Sequence, residues 1–301
     1  TLVGIEAAVF PTYQALLDTL NQVDANFADV AGYKGTVVYK YETLKELYDY
    51  NLPHLDNNTS TLVDWIVGLQ YEDAGQASYG AIKIHHDPGL YIGNDAYWHI
   101  SPYHASLAVV GLLRSSANDK LQKSELWFDW YLNHLNANGT VYDHWYLADG
   151  SGETTAPIGC GTGGQPACDW EDATDSNAAT FLGALWTYYQ EGGDANFITD
   201  RKTQIETVAA AILNLQQPDG LTWAKSSYPV QFLMDNSEVY WGLQAIAELE
   251  QTVFNAPAAA QLYTNAASGV MAGINTELFN VNTGLYRVAK LGPNSYQEVD
   301  L

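Results

Sequence analysis

Carboxylates and flat aromatic rings occur together at four places in this 301-residue chain. These are Asn94-Asp95-Ala96-Tyr97-Trp98-His99, Val141-Tyr142-Asp143-His144-Trp145-Tyr146, the run from Cys168 to Asn177, and Met234-Asp235-Asn236-Ser237-Glu238-Val239-Tyr240-Trp241. Paired carboxyls suit cleavage of a glycosidic bond: one protonates the leaving oxygen while the other activates water or attacks the anomeric carbon. Flat rings stack on the apolar faces of sugars. The densest cluster, Asp169-Trp170-Glu171-Asp172 with Asp175 close behind, sets like charges beside one another, which raises carboxyl pKa values. The candidate catalytic residues are therefore Glu171, Asp172, Asp95, Asp235 and Glu238. The candidate sugar-binding residues are Tyr97, Trp98, His99, Tyr142, Asp143, Trp145, Trp170, Trp223, Tyr240 and Trp241.

Each of these has a plainer use. Asp175 and Asp235 stand where helices begin, and taken singly each reads first as an N-cap. Trp170 and Trp241 suit a core as well as a binding surface. His85-His86-Asp87 offers adjacent imidazoles that point apart, with no third ligand evident, so no metal is expected. His104 reads as a packing residue. Gly161-Thr162-Gly163-Gly164 lacks the Lys-Ser/Thr of a phosphate loop, and no cofactor is expected.

The elements that must position these residues repeat along the chain. Thr61–Gln70, Leu121–Asn136, Lys202–Gln216 and Ala258–Leu278 are amphipathic segments, each running into a turn with Gly or Asn and an aromatic. Between them lie Ser101–Leu113, Asp175–Trp186 and Asp235–Ala245, which start with N-cap residue types and are rich in small residues. Ser101 followed by Pro102 is a strong helix start. Small residues nearly all round suit a helix buried among others, whereas one-sided patterns suit the outside. The spacing predicts helices over 12–26, 43–53, 60–70, 101–115, 119–136, 175–191, 199–217, 235–253 and 257–277. The fold expected is an all-α (α/α) toroid of five or six helical hairpins, forming a single domain over 1–301. The helices near 101, 175 and 235 form its inner ring. The pattern ends after an outer helix, so a chain lacking its C-terminal end is preferred over closure through the first helix. The segment 137–174 is expected to hold no regular structure.

Twelve basic residues face thirty-five acidic ones, a formal charge of −23. That balance repels nucleic acid, whose binding needs clustered Lys and Arg. No apolar run reaches the roughly 18 residues of a membrane span. A soluble, secreted protein is expected, with any leader peptide already removed. Cys160 and Cys168, separated by a flexible loop, suit a small disulfide. Sequons at Asn57, Asn58 and Asn138 are candidate glycosylation sites. Nothing in the sequence bears on oligomeric state.

Asp169-Trp170-Glu171-Asp172, followed by Ser176 and Phe181, resembles the acid-bearing loop and following helix of glucoamylase-like glycosidases. The wider plan resembles the six-hairpin glycosidase group. The family loop reads Asp-x-Trp-Glu-Glu; here the intervening residue is absent and Asp172 replaces the second Glu. The resemblance implies that Glu171 is a general acid. The expected function is a glycoside hydrolase acting on an extracellular oligo- or polysaccharide. The alternatives are a polysaccharide lyase on the same toroid and a non-catalytic carbohydrate-binding or cell-surface structural protein. A lyase for anionic sugars needs Arg and Lys in its cleft, and the chain is poor in both. Asp95, Trp98, Asp143, Trp145, Trp170, Glu171, Asp235 and Trp241 are expected to share one cleft.

Overall fold

Two glycines govern how closely the inner helices approach. In the computed structural model, which describes residues 63–88, 90–92 (backbone only), 95–152 and 171–299, the helices are α1 (Pro102–Leu113), α2 (Lys120–Asn133), α3 (Thr174–Gln190), α4 (Ala195–Thr199), α5 (Lys202–Leu215), α6 (Leu233–Thr252) and α7 (Pro257–Gly273). A short helix over 63–67 precedes them, and a π-helical turn, Ile274–Leu278, extends α7. Helix α3 lies between α1 and α6, and every residue from Thr174 to Leu185 is buried. Its Gly183 faces the Trp241 ring so closely that a Cβ there would sit 2.4 Å away. A Cβ on Gly242 of α6 would meet Ala179 Cα at 2.5 Å. Small residues at these two positions allow a backbone approach that larger side chains would block.

Helices α2, α5 and α7 form the outer layer. Helix α2 bears on α1 and α3, α5 on α3 and α6, and α7 on α6. Helix α5 buries Ile205, Val208, Ala209, Ile212 and Leu215, a single stripe at helical spacing. Helix α2 inserts aromatics: Tyr131 stacks on Phe181 at 4.0 Å, and Phe128 meets Phe181 edge-on at 5.7 Å. The expected inner and outer roles hold, and the architecture is the (α/α) toroid of helical hairpins.

The chain is not wholly helical. Strands β1 (Leu90–Ile92), β2 (Asp95–Ile100) and β3 (His144–Leu147) form an antiparallel sheet with β2 in the middle. β4 (Gln231–Phe232) pairs with β7 (Ala289–Gly292), and β7 with β8 (Ser295–Gln297). β5 (Phe279–Asn280) pairs with β6 (Leu285–Tyr286). The connectors carry aromatic and β-branched residues such as Tyr97-Trp98-His99-Ile100 and His144-Trp145-Tyr146-Leu147, which favour pleated pairing. Part of the segment 137–174 is thus a strand.

Helix starts and stops also differ from expectation. Helix α3 begins at Thr174 with Ala173 as its N-cap, and α6 begins at Leu233 with Phe232 as its N-cap. Asp175 and Asp235 therefore lie inside first turns rather than at the N-cap positions. The helix expected at 199–217 runs from Lys202 to Leu215 as α5, and the separate α4 precedes it across Asp200-Arg201, with Asp194 capping α4 through the Asn196 N–H. The helices expected at 12–26 and 43–53, the start of 60–70, the Cys160–Cys168 bridge, Asn57, Asn58 and Trp170 lie outside the described residues. Among the described residues no helix is long and apolar enough to cross a membrane.

Gly242→Ala tests the close approach. Helix propensity alone favours Ala by about 1 kcal/mol, but the clash with Ala179 outweighs it. Urea unfolding should show a net loss of about 1–3 kcal/mol, the usual scale of overpacking. Equal or greater stability would contradict the contact.

Candidate active site

The starts of α1, α3 and α6 come together. Asp172 and Ser176 from the α3 start, Tyr103 from α1 and Asp235 from α6 line one cleft of about 520 Å³. Lys225, Tyr228 and Phe232, from the segment leading into α6, and Met234 in its first turn line it as well. Tyr228 is 48% exposed and Met234 61% exposed, so an apolar surface lies open beside the acids. The segment is held by polar bonds to the helix starts. Thr222 Oγ1 donates to Asp175 Oδ2 at 2.6 Å, and the Thr222 N–H donates to Asn236 Oδ1 at 2.8 Å.

Burial decides the charge state of these carboxyls. Asp235 is pushed up to about 6, first by desolvation and then by the charge of Asp172. Glu238 is pushed up to about 7 by burial, with a further rise from Asp235 and an opposing hydrogen bond from Tyr103. Tyr103 Oη donates to Glu238 Oε1 at 2.6 Å. The phenol is itself held above its ordinary value, first by burial and then by its bond to Glu238 and the nearby carboxylates, so it keeps its proton. Asp175, fully buried, is raised well above the carboxylate range by burial and then by Asp235. Its bonds from Thr222 and from the Ser176 N–H, 2.8 Å away, oppose the rise.

Glu171 and Asp172 are adjacent but answer to different neighbours. Burial raises the Glu171 carboxyl; a bond from Thr174 and the charge of Lys225 oppose this, and Asp143 adds to it. Lys225 Nζ donates to the Glu171 carbonyl, tying this residue to the cleft. Asp143, 2% exposed, accepts a bond at Oδ2 from His99 Nε2 at 2.6 Å. The His99 ring stacks on Trp145 at 4.6 Å and 6°, because the β2–β3 register sets the two residues opposite each other. Asp143 Oδ1, Glu171 Oε2 and both amide atoms of Asn177 are buried without a hydrogen-bond partner. Buried polar atoms of this kind are costly in an idle site.

The expected residues thus fall into groups. Asp172, Asp235 and Glu238 come together with Tyr103, and Glu171, Asp143, His99 and Trp145 form the adjoining group. Trp241 does not join them. It follows Asp235 by six residues, about 240° further round the helix, packs on Gly183, and lines a separate pocket of about 540 Å³ with Tyr240 and Trp186. Trp223 lines a third cleft with Pro229 and Lys290. Asp95 is exposed at the start of β2, four residues and about 13 Å of strand from His99. Trp98 alternates to the face opposite His99 and donates from Nε1 to the His86 carbonyl at 2.7 Å. Tyr97 shares the His99 face further along β2, and Tyr142 is half-buried next to Asp143. Asn138 is exposed on a turn, its Oδ1 accepting from the Thr140 hydroxyl at 2.8 Å. Among the described residues no His, Cys, Asp and Glu group is arranged to hold a metal ion. The sequence reading missed Tyr103, Lys225, Tyr228 and Phe232. Only Tyr103, directly after the Ser101-Pro102 helix start, carried a visible signal.

No protein-family model and no curated protein matches the sequence. Solved structures do. The chain is similar to a UGL variant with dGlcA-Glc-Rha-Glc at a TM-score of 0.57 and 11% identity, covering 94% of this chain and 74% of that one. It is similar to an unsaturated glucuronyl hydrolase from Bacillus sp. GL1, responsible for the degradation of glycosaminoglycan, at a TM-score of 0.52 and 13% identity. That match covers 75% of this chain and 58% of the other. A sugar epimerase from a ruminal bacterium is a looser match, at a TM-score of 0.49 and 10% identity over 71% of this chain and 56% of that one. The chain therefore spans little more than half the length of two of these proteins. At such identities the likeness is one of fold, and that fold is a double-layered helical toroid.

Proposed function

We propose that this chain is a glycoside hydrolase that cleaves an extracellular oligo- or polysaccharide by carboxylate acid/base chemistry. The observation that carries the reading is the pairing of Asp172 with Asp235 on one open cleft, where the second is half-protonated at about pH 6. Two carboxyls in unlike environments take unlike roles. Asp235, buried and raised, acts as general acid; Asp172, exposed on the cleft, acts as base or nucleophile. Tyr228 and Phe232 offer rings on which a pyranose can stack. The glucoamylase-like loop would give the acid role to Glu171. The charge partners of Glu171 favour Asp235 instead, because Glu171 is coupled to Asp143 and Lys225 whereas Asp172 is coupled to Asp235. A secreted setting, a Cys160–Cys168 bridge and glycans at Asn57, Asn58 and Asn138 belong to the same proposal. The acidic composition supports the first, and the exposure of Asn138 is compatible with a glycan there.

The related structures add a substrate to include. An unsaturated glucuronyl hydrolase shares the fold, so uronate-capped oligosaccharides belong in any screen beside neutral ones. A lyase is the second reading, favoured by Tyr103 and Lys225, the phenol and ammonium on the same cleft. Purified protein incubated with neutral, amino and uronic glycans should release reducing ends without unsaturated products. Unsaturated products would establish the lyase, and no turnover of any glycan would leave a binding protein.

On a substrate so identified, Asp235→Asn and Asp172→Asn should each lower kcat by roughly 10² to 10⁴, the scale of a general acid or base. Glu171→Gln should cost less than about tenfold if Asp235 is the acid. A Glu171→Gln enzyme crippled as badly as Asp235→Asn would return the acid role to the loop.

The pH profile follows from the same assignment. A general acid must be protonated, so kcat/KM should fall as pH rises through about 6, the Asp235 value. Activity that climbs steadily from pH 6 to 8 would exclude Asp235 as the acid.

A further inference from the structure

Tyr103 and Glu238 lie 135 residues apart and belong to helices that α3 separates, yet their side chains meet at 2.6 Å. The phenol lines the cleft. The carboxyl sits behind it, with Oε2 buried and lacking a hydrogen-bond partner. We propose that Tyr103 is a positioning residue: its hydroxyl, by donating a hydrogen bond to the Glu238 carboxyl, holds that side chain behind the cleft and next to Asp235. The proposal rests on reading the cleft as a catalytic site.

The surroundings leave the phenol little competition for this part. The carboxylates that act on the phenol besides Glu238 are Asp172 from the α3 start and Asp235 on α6 itself, and the His104 ring meets Tyr103 edge-on at 5.1 Å. The acids accept from a neutral carboxyl but cannot donate to an anion unless protonated, and His104 Nδ1 bonds Ser101 Oγ at 3.1 Å. Lys225 donates to the Glu171 carbonyl. Burial and the surrounding carboxylates keep the Tyr103 proton in place, so the phenol remains a donor across the working pH range. Among the described residues the Tyr103 hydroxyl is the donor to the Glu238 carboxyl, and a desolvated carboxylate that loses such a bond responds by holding its proton to higher pH. The charge of Asp235 raises Glu238 further, so the bond from the phenol acts against both burial and a neighbouring carboxylate.

Tyr103→Phe removes the hydroxyl and keeps the ring. By ¹³C NMR the Glu238 carboxyl should then titrate at a higher pH than in wild type, since the bond from Tyr103 opposes the rise that burial causes. Thermal unfolding gives a reading independent of catalysis. A carboxyl raised in the folded state is favourable below its unfolded value and loses that contribution as pH rises through the folded one. The variant pushes the folded value higher, so the loss deepens on the alkaline side. The Tm gap between wild type and variant should be roughly twofold wider at about pH 8 than at about pH 5. A side chain that only fills space would give equal gaps and an unmoved titration, and that result overturns the proposal while leaving the hydrolase reading intact. A shifted titration in a protein that cleaves no glycan would do the reverse. Should Tyr103→Phe fail to fold, Glu238→Gln keeps the acceptor and removes the charge. Its stability should then vary less with pH between about 5 and 8 than that of wild type, and an unchanged slope would overturn the proposal.

Discussion

The close contact between α3 and α6 governs the rest of the structure. Gly183 admits the Trp241 ring and Gly242 admits the Ala179 backbone, so the two helices approach nearer than side chains of ordinary size allow. Helix α3 is sealed along most of its length as a result, with α1 packed against it as well. The starts of the inner helices then share one end of the layer. Every acid of the cleft belongs to one of those starts or to the residues just before it.

Crowding carboxyls at one end creates an electrostatic problem, and the molecule solves it with few cations. Lys225 is the basic residue at the cleft, and its amine is directed at the Glu171 carbonyl. Neutral hydroxyl donors serve instead: Thr222 for Asp175 and Tyr103 for Glu238. The first turns of α3 and α6 add their own N-terminal field, which favours negative charge there. Desolvation still dominates, and Asp235 and Glu238 retain protons to about 6 and 7. A cleft neutralised by Arg and Lys would have ionised its acids fully and left no proton to give. Carboxyls with shifted values gather at functional sites more often than on charged surfaces.

The second group of residues depends on strand pairing. β2 and β3 place His99 across from Trp145, and the stacked ring then reaches Asp143. Pairing fixes that register because a shift of one residue would turn His99 to the opposite face, where Trp98 now lies.

The division between what was readable and what was not follows from the range of the forces involved. The ring plan was legible, since burial leaves a local pattern: small residues all round for α3, one apolar stripe for α5. The clustering of Glu171, Asp172, Asp235 and Glu238 at inner-helix starts was legible for the same reason, being a matter of position along amphipathic elements. Helix phase was not. Whether Asp235 or Trp241 faces the cleft depends on where α6 begins, and Leu233 rather than Asp235 starts it because tertiary packing, not a capping side chain, sets that end. The acids taken for caps turned out to be buried inside first turns. The partners that set the carboxyl environments, Tyr103 for Glu238 and Asp172 for Asp235, are far apart in sequence and leave no trace in spacing. By itself the sequence determined which elements form and which faces they bury. The tertiary structure alone decided which charges meet, because desolvation and Coulomb energies depend on distances that only the packed helices establish.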